Sequence, residues 1–149
     1  MKLKDFIICD DIRAEMNNKF SLMGVYNDAL NFLVPENLVD KWPKMIHLGF
    51  FIRLDIESIE ELNSIGKFVL EAKIDDKTNF RADQIFDGRT DENQPLKQMV
   101  ISVVFEQVNI FGTGDMELSL SVYNKNDELK ERFMYKGNIK VSVLTYPSS

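Results

Sequence analysis

From Met45 to Ile56 every second residue is a large apolar one: Ile46, Leu48, Phe50, Ile52, Leu54 and Ile56 follow without interruption. A period of two belongs to an extended strand. A helix of 3.6 residues per turn would scatter those six side chains around its axis. The segment is therefore expected as a strand whose even-numbered side chains enter a core. The intervening set, Met45, His47, Gly49, Phe51, Arg53 and Asp55, is mixed and lines the opposite face.

The same period recurs along the chain. Phe68, Leu70, Ala72 and Ile74 alternate with Lys67, Val69, Glu71 and Lys73, and Met116, Leu118, Leu120 and Val122 alternate with Glu117, Ser119, Ser121 and Tyr123. Between Met99 and Ile110 the first half is apolar on both parities, which reads as a central strand. Towards the C-terminus Leu129, Phe133, Tyr135, Ile139, Val141 and Val143 share one parity, with Gly137 marking a bulge or bend. At the N-terminus Phe6, Ile8, Ile12, Ala14 and Met16 share a parity that Asp10 breaks, so a bulge is expected near Asp10 and Asp11. Asn17, Asn18 and Lys19 then turn the chain into a first hairpin with Phe20 to Tyr26.

Further turns are signalled at Asp75 to Asn79, at Gly112 to Asp115 and at Asn124 to Asp127, the last two making a three-strand meander from 99 to 143. The stretch 80–96 reads as one short strand, Phe80 to Phe86, followed by a long loop. Helical signals are confined to a turn after Pro35, ended by Pro43, and to the spacing Ile56, Ile59, Leu62, Ile65. Neither is long enough to cover a sheet. Strands without covering helices must bury their apolar faces against one another. The expectation is all-β: one domain over 1–149, an antiparallel β-sandwich of about seven to eight strands, Ig-like or C2-like, with one or two short helical turns. A closed barrel is the second choice.

Net charge is −6, which repels phosphates and anionic lipid headgroups, so neither nucleic acid nor a membrane is an expected partner. The apolar run Phe6 to Cys9 is too short for an export signal or a membrane span, and a lone cysteine forms no internal disulfide. A reducing, cytoplasmic setting is expected.

Chemistry-bearing residues are sparse. Nucleophilic catalysis by a Ser-His-Asp or Cys-His set would have to use His47, the only histidine, which sits mid-strand, and nothing near Cys9 would lower its thiol pKa. One His and one Cys cannot make a zinc site. Calcium is the metal with more to offer it, through Asp10 with Asp11, Asp55 with Glu57, Asp75 with Asp76 and Asp87 with Asp91, although none has the spacing of a known loop. Paired carboxylates for glycoside hydrolysis would need a cleft that a small sandwich does not build. Gly112 and Gly114 are read as hairpin glycines because no helix or lysine follows to make a phosphate cradle. No catalytic residue, metal or cofactor is expected.

What remains is surface. Phe51 with Arg53, together with Val69 and Tyr123 on the non-core parity of other strands, would form an exposed apolar patch if those strands are neighbours. The segments Cys9-Asp10-Asp11-Ile12-Arg13 and Lys19 to Tyr26 (KFSLMGVY) resemble the opening of a family of small bacterial proteins of unknown function, β-sandwich domains of about this length. The resemblance implies a β-sandwich of bacterial or bacteriophage origin and implies no activity. The expected function is thus a non-enzymatic protein-interaction module that binds a protein partner or self-associates through a sheet face or edge. A calcium- or small-ligand-binding sandwich is the alternative, and a phage-encoded inhibitor of a host protein is a special case of the first.

Overall fold

The computed structural model describes residues 1–86 and 98–146. Ten strands follow in order: β1 (Lys2–Ala14), β2 (Phe20–Val25), β3 (Ala29–Pro35), β4 (Lys44–Asp55), β5 (Ile65–Ile74), β6 (Lys77–Ile85), β7 (Gln98–Ile110), β8 (Gly114–Asn124), β9 (Leu129–Met134) and β10 (Ile139–Tyr146). One short helix, α1 (Ile59–Ser64), starts at Ser58, whose hydroxyl accepts the amide of Glu61. The excess over seven or eight strands has two sources. β3 adds a strand to those expected from the sequence, and the C-terminal stretch divides where Gly137 takes a positive φ of 84°. There the chain bends, as its glycine suggested, and β9 and β10 both lie along the same side of β8, through Met134 opposite Ser119 and Ile139 opposite Met116.

The fold is all-β, in two sheets. One has the order β2-β1-β4-β7; the other has the order β3-β10-β8-β5-β6, with β9 also paired to β8. Pairing is antiparallel except between β3 and β10, which run parallel over Ala29–Pro35 and Lys140–Tyr146. The expected meander from 99 to 143 is corrected: β7 pairs with β4, not with β8, so residues 111–113 carry the chain from one sheet to the other. Gly112 lies in that crossing and Gly114 opens β8, so neither belongs to a hairpin. The turns at Asp75-Asp76 and at Asn124 to Glu128 are hairpins, joining β5 to β6 and β8 to β9.

A single apolar cluster draws on both sheets: Ile8, Leu48, Phe50, Ile52, Leu54, Val108 and Ile110 from the first, Leu30, Phe68, Leu70, Ile74, Met116, Leu118, Leu120, Ile139 and Val141 from the second. Five of the six even-numbered residues of β4 are buried; Ile46 is partly buried, next to the register shift between Ile46 and Leu48. Phe50 stacks on Phe80 across the sheets at 6.1 Å between ring centroids, and Phe105 meets both edge-on.

β7 is an edge strand, not a central one. Its second apolar parity has another cause. The pairing of β1 with β4 stops at Cys9 opposite Gly49, and beyond it the β1–β2 hairpin turns over the outer face of β4. Phe20 from that hairpin reaches Phe51, with ring centroids 5.3 Å apart. Ile12 lies so close above Gly49 that a β-carbon there would stand 3.2 Å from it. Val104, opposite Gly49 on β7, shares this half-covered face. No extra residue is inserted at Asp10. The β1–β2 register is the same on either side of it, and the irregularity falls across the pair at Gly24, which has a φ of 65°. Asp10 itself is exposed and accepts the Tyr26 hydroxyl at 2.6 Å.

Candidate functional site

Phe51, Arg53, Val69 and Tyr123 do not form one surface. The first two lie in the sheet of β4, the other two in the sheet of β5 and β8. Phe51 is only 8% exposed and Val69 only 2%. The expectation of an exposed apolar patch is corrected at both positions, for different reasons. Phe51 is capped by Phe20, and Arg53, ion-paired to Asp5, lies alongside its ring. Val69 sits in a row between Asp83 on β6 and Ser121 on β8, beneath long polar side chains. Arg132 from β9 bonds Ser121 at 3.0 Å, Arg81 bridges Asp83 and Glu71, and Lys67 covers the Tyr123 ring at 4.9 Å. This face is a charged lattice over small apolar residues.

Among the described residues, Cys9 and His47 do not meet a partner suited to catalysis. Cys9 is fully buried, its thiol directed to the Gly49 carbonyl at 3.8 Å, and burial followed by the charges of Asp10 and Asp11 pushes its pKa up. Such a thiol is held protonated and unreactive. His47 is exposed on β4. Asp75 and Asp76 occupy the β5–β6 turn with positive φ of 50° and 60°, and share a shallow recess with Lys73, Asp115, Glu117 and Asn138. Among the described residues no three acidic, His or Cys side chains are grouped to hold a metal ion. The pair Asp87 and Asp91 lies outside the described residues.

An apolar seam runs between the edge strands β6 and β7, lined by Phe68, Gln84, Phe86, Met99 and Ile101 around a cavity of about 220 Å³.

The opposite margin of the second sheet differs in kind. β3 is its last strand. The amide of Lys140 bonds the carbonyl of Asp28, which fixes the ladder: residues 28, 30, 32 and 34 turn their peptide groups towards β10. Ala29, Asn31 and Leu33 therefore turn theirs away, along the free edge. Across β3 and β10 together the only charged residue is Lys140, in a chain that is 28% charged. Leu33 (64% exposed) pairs with Leu144 (50%), and Tyr146 (44%) pairs with Pro35, so the edge carries an apolar flank. The other margins are blunted: β6 carries Lys77, Arg81 and Asp83, β2 is kinked at Gly24, and β7 is flanked by Phe80 against Phe105 and by Asn79 bonded to the Phe111 amide at 2.8 Å. The alternation Leu30, Phe32, Val34 is the signal for β3 in the sequence, beside a proline that also reads as the opening of a helical turn.

No known protein family, curated protein or solved structure matches the chain. Among the described residues no helix is long and apolar enough to cross a membrane.

Proposed function

We propose that this chain is a non-enzymatic protein-interaction module of the β-sandwich type, Ig-like or C2-like in its finer arrangement, which binds by adding a strand to its β3 edge. One observation carries the reading. β3 is seven residues long, uncharged, and has alternate peptide groups that no described residue pairs with, whereas the margins along β6, β2 and β7 are charged, kinked or flanked. Natural sheets avoid leaving such an edge bare unless something pairs with it. The lone cysteine supports a cytoplasmic setting, and the likeness of residues 9–26 to small bacterial proteins supports a bacterial or phage origin, in which an inhibitor of a host protein would be one form of the same activity.

The test is capture of partners from bacterial lysate on immobilised wild type and on Leu33→Lys. Lysine on an edge strand disfavours strand addition and leaves an exposed position exposed. Proteins retained by the wild type and lost from Leu33→Lys support the reading. Identical retention by both sinks it.

A further inference from the structure

We infer that the strand added to β3 is β3 of a second copy, paired antiparallel about a twofold axis through Asn31. This inference rests on the reading that β3 is a working edge, and specifies its occupant.

The register follows from the ladder. Residues whose peptide groups face a free edge become the hydrogen-bonded pairs of an antiparallel partner. With Ala29, Asn31 and Leu33 in that role, a twofold axis at Asn31 sets Asn31 against its own copy, and Ala29 against Leu33 of the second copy on each side. All three donors and acceptors are then used. Large faces small: Leu33 lies over the space left by Ala29, and the two Asn31 amides are placed to bond each other. Pro35, which has no donor, falls outside the three pairs.

The self-matching register points to a second copy, and the charge of this margin permits it. Contact between two molecules of net charge −6 is repulsive over most of the surface. β3 and β10 together carry no acidic residue and one basic residue, so along this margin two copies can approach with carboxylates only at the ends of β3, at Asp28 and Glu36. The exposed Leu33, Leu144 and Tyr146 supply apolar area beside the joined strands. A joint of this kind is small, so a dissociation constant on the order of micromolar is expected.

Sedimentation velocity of the wild type over a range from about 1 to 200 μM, spanning that constant, is the first measurement. A concentration-dependent dimer is expected. Asn31→Pro, which removes the central donor on an edge where proline is tolerated, and Leu33→Lys should both sediment as monomers with unchanged far-ultraviolet circular dichroism. Ile85→Lys, at a still more exposed apolar position on β6, should leave the dimer intact. If Asn31→Pro fails to fold, Leu33→Lys decides.

Register is read separately by oxidation with oxidised glutathione. Paired Cα atoms at a hydrogen-bonded position stand about 5.5 Å apart, within disulfide reach. Asn31→Cys should cross-link to its copy, and Leu33→Cys, which faces Ala29, should not. A monomer at every concentration, a dimer that survives both edge substitutions, or cross-linking through position 33 in preference to 31 would each overturn the inference. A monomeric wild type that still captures a protein lost from Leu33→Lys would overturn self-pairing alone, leaving the interaction reading in place.

Discussion

At the scale of single residues, burial separates positions that one strand places side by side. Phe50 lies between the sheets at 1% exposure, among Phe80 and Phe105. Replacing it with Ala should cost about 3–5 kcal/mol, seen as a shift of the urea midpoint. Phe51, of opposite parity, is nearly as well covered, and Phe51→Asp should unfold the domain rather than leave it intact, since it removes a ring packed under Phe20 and puts there a carboxylate whose neighbouring cation, Arg53, is already paired to Asp5. His47→Ala, on the same parity but exposed, should stay within about 0.5 kcal/mol of wild type. Tyr26 offers a test by pH. Its burial, and then its bond to Asp10, raise the phenol pKa above the ordinary value of 10.0. A proton held more tightly in the folded state than in the unfolded one contributes stability that is whole below pH 10.0 and is lost as the pH climbs beyond it. Denaturation midpoints should therefore fall on the alkaline side, and fall less steeply in Tyr26→Phe.

The β1–β2 hairpin is the element that most changes the reading of the chain. It leaves β4 after Cys9 and folds back across it, and the small residue at position 49 is what allows Ile12 to lie there. Gly49→Leu should lift the hairpin, expose Phe51 and Cys9, and make the thiol reactive towards a disulfide reagent under native conditions; in the wild type it should react only on unfolding. A Gly49→Leu protein whose thiol stays protected would show that something other than the hairpin covers Cys9. The β5–β6 turn has the opposite character, because Asp75 and Asp76 both hold positive φ at exposed positions. Asp76→Gly relieves that conformation and should raise stability by roughly 0.5 kcal/mol.

For the molecule as a whole, the two sheets share one core while their margins are unequally protected, which directs association to one side. Acidic side chains gather in the recess of Asp75, Asp76, Asp115 and Glu117, countered by Lys73 and without a set of ligands. Millimolar calcium should accordingly leave the melting temperature unchanged, since a ion bound only by the folded state must raise it. A saturable rise abolished by Asp75→Asn with Asp76→Asn would restore the ligand-binding alternative.

The sequence determined what is periodic and local. The alternation in β4, β5 and β8 named the core parity, and the asparagine and aspartate clusters named the hairpin turns at 17–19, 75–79 and 124–127, because strand faces and tight turns depend on residues two to four apart, whereas the glycine cluster at 112–115 named a hairpin that is a crossing between sheets. Only the tertiary structure decided which strands are neighbours. Pairing β7 with β4, sending residues 111–113 between sheets and laying β3 parallel to β10 join segments far apart in the chain, where alternation is satisfied equally well by several partners. The same holds for the surface. Phe51 reads as exposed from its parity and Leu33 reads as nothing in particular, yet the fold covers one with Phe20 and leaves the other bare on an unpaired edge. Burial on the outer face of a sheet is set by what folds over it, not by the strand's own sequence.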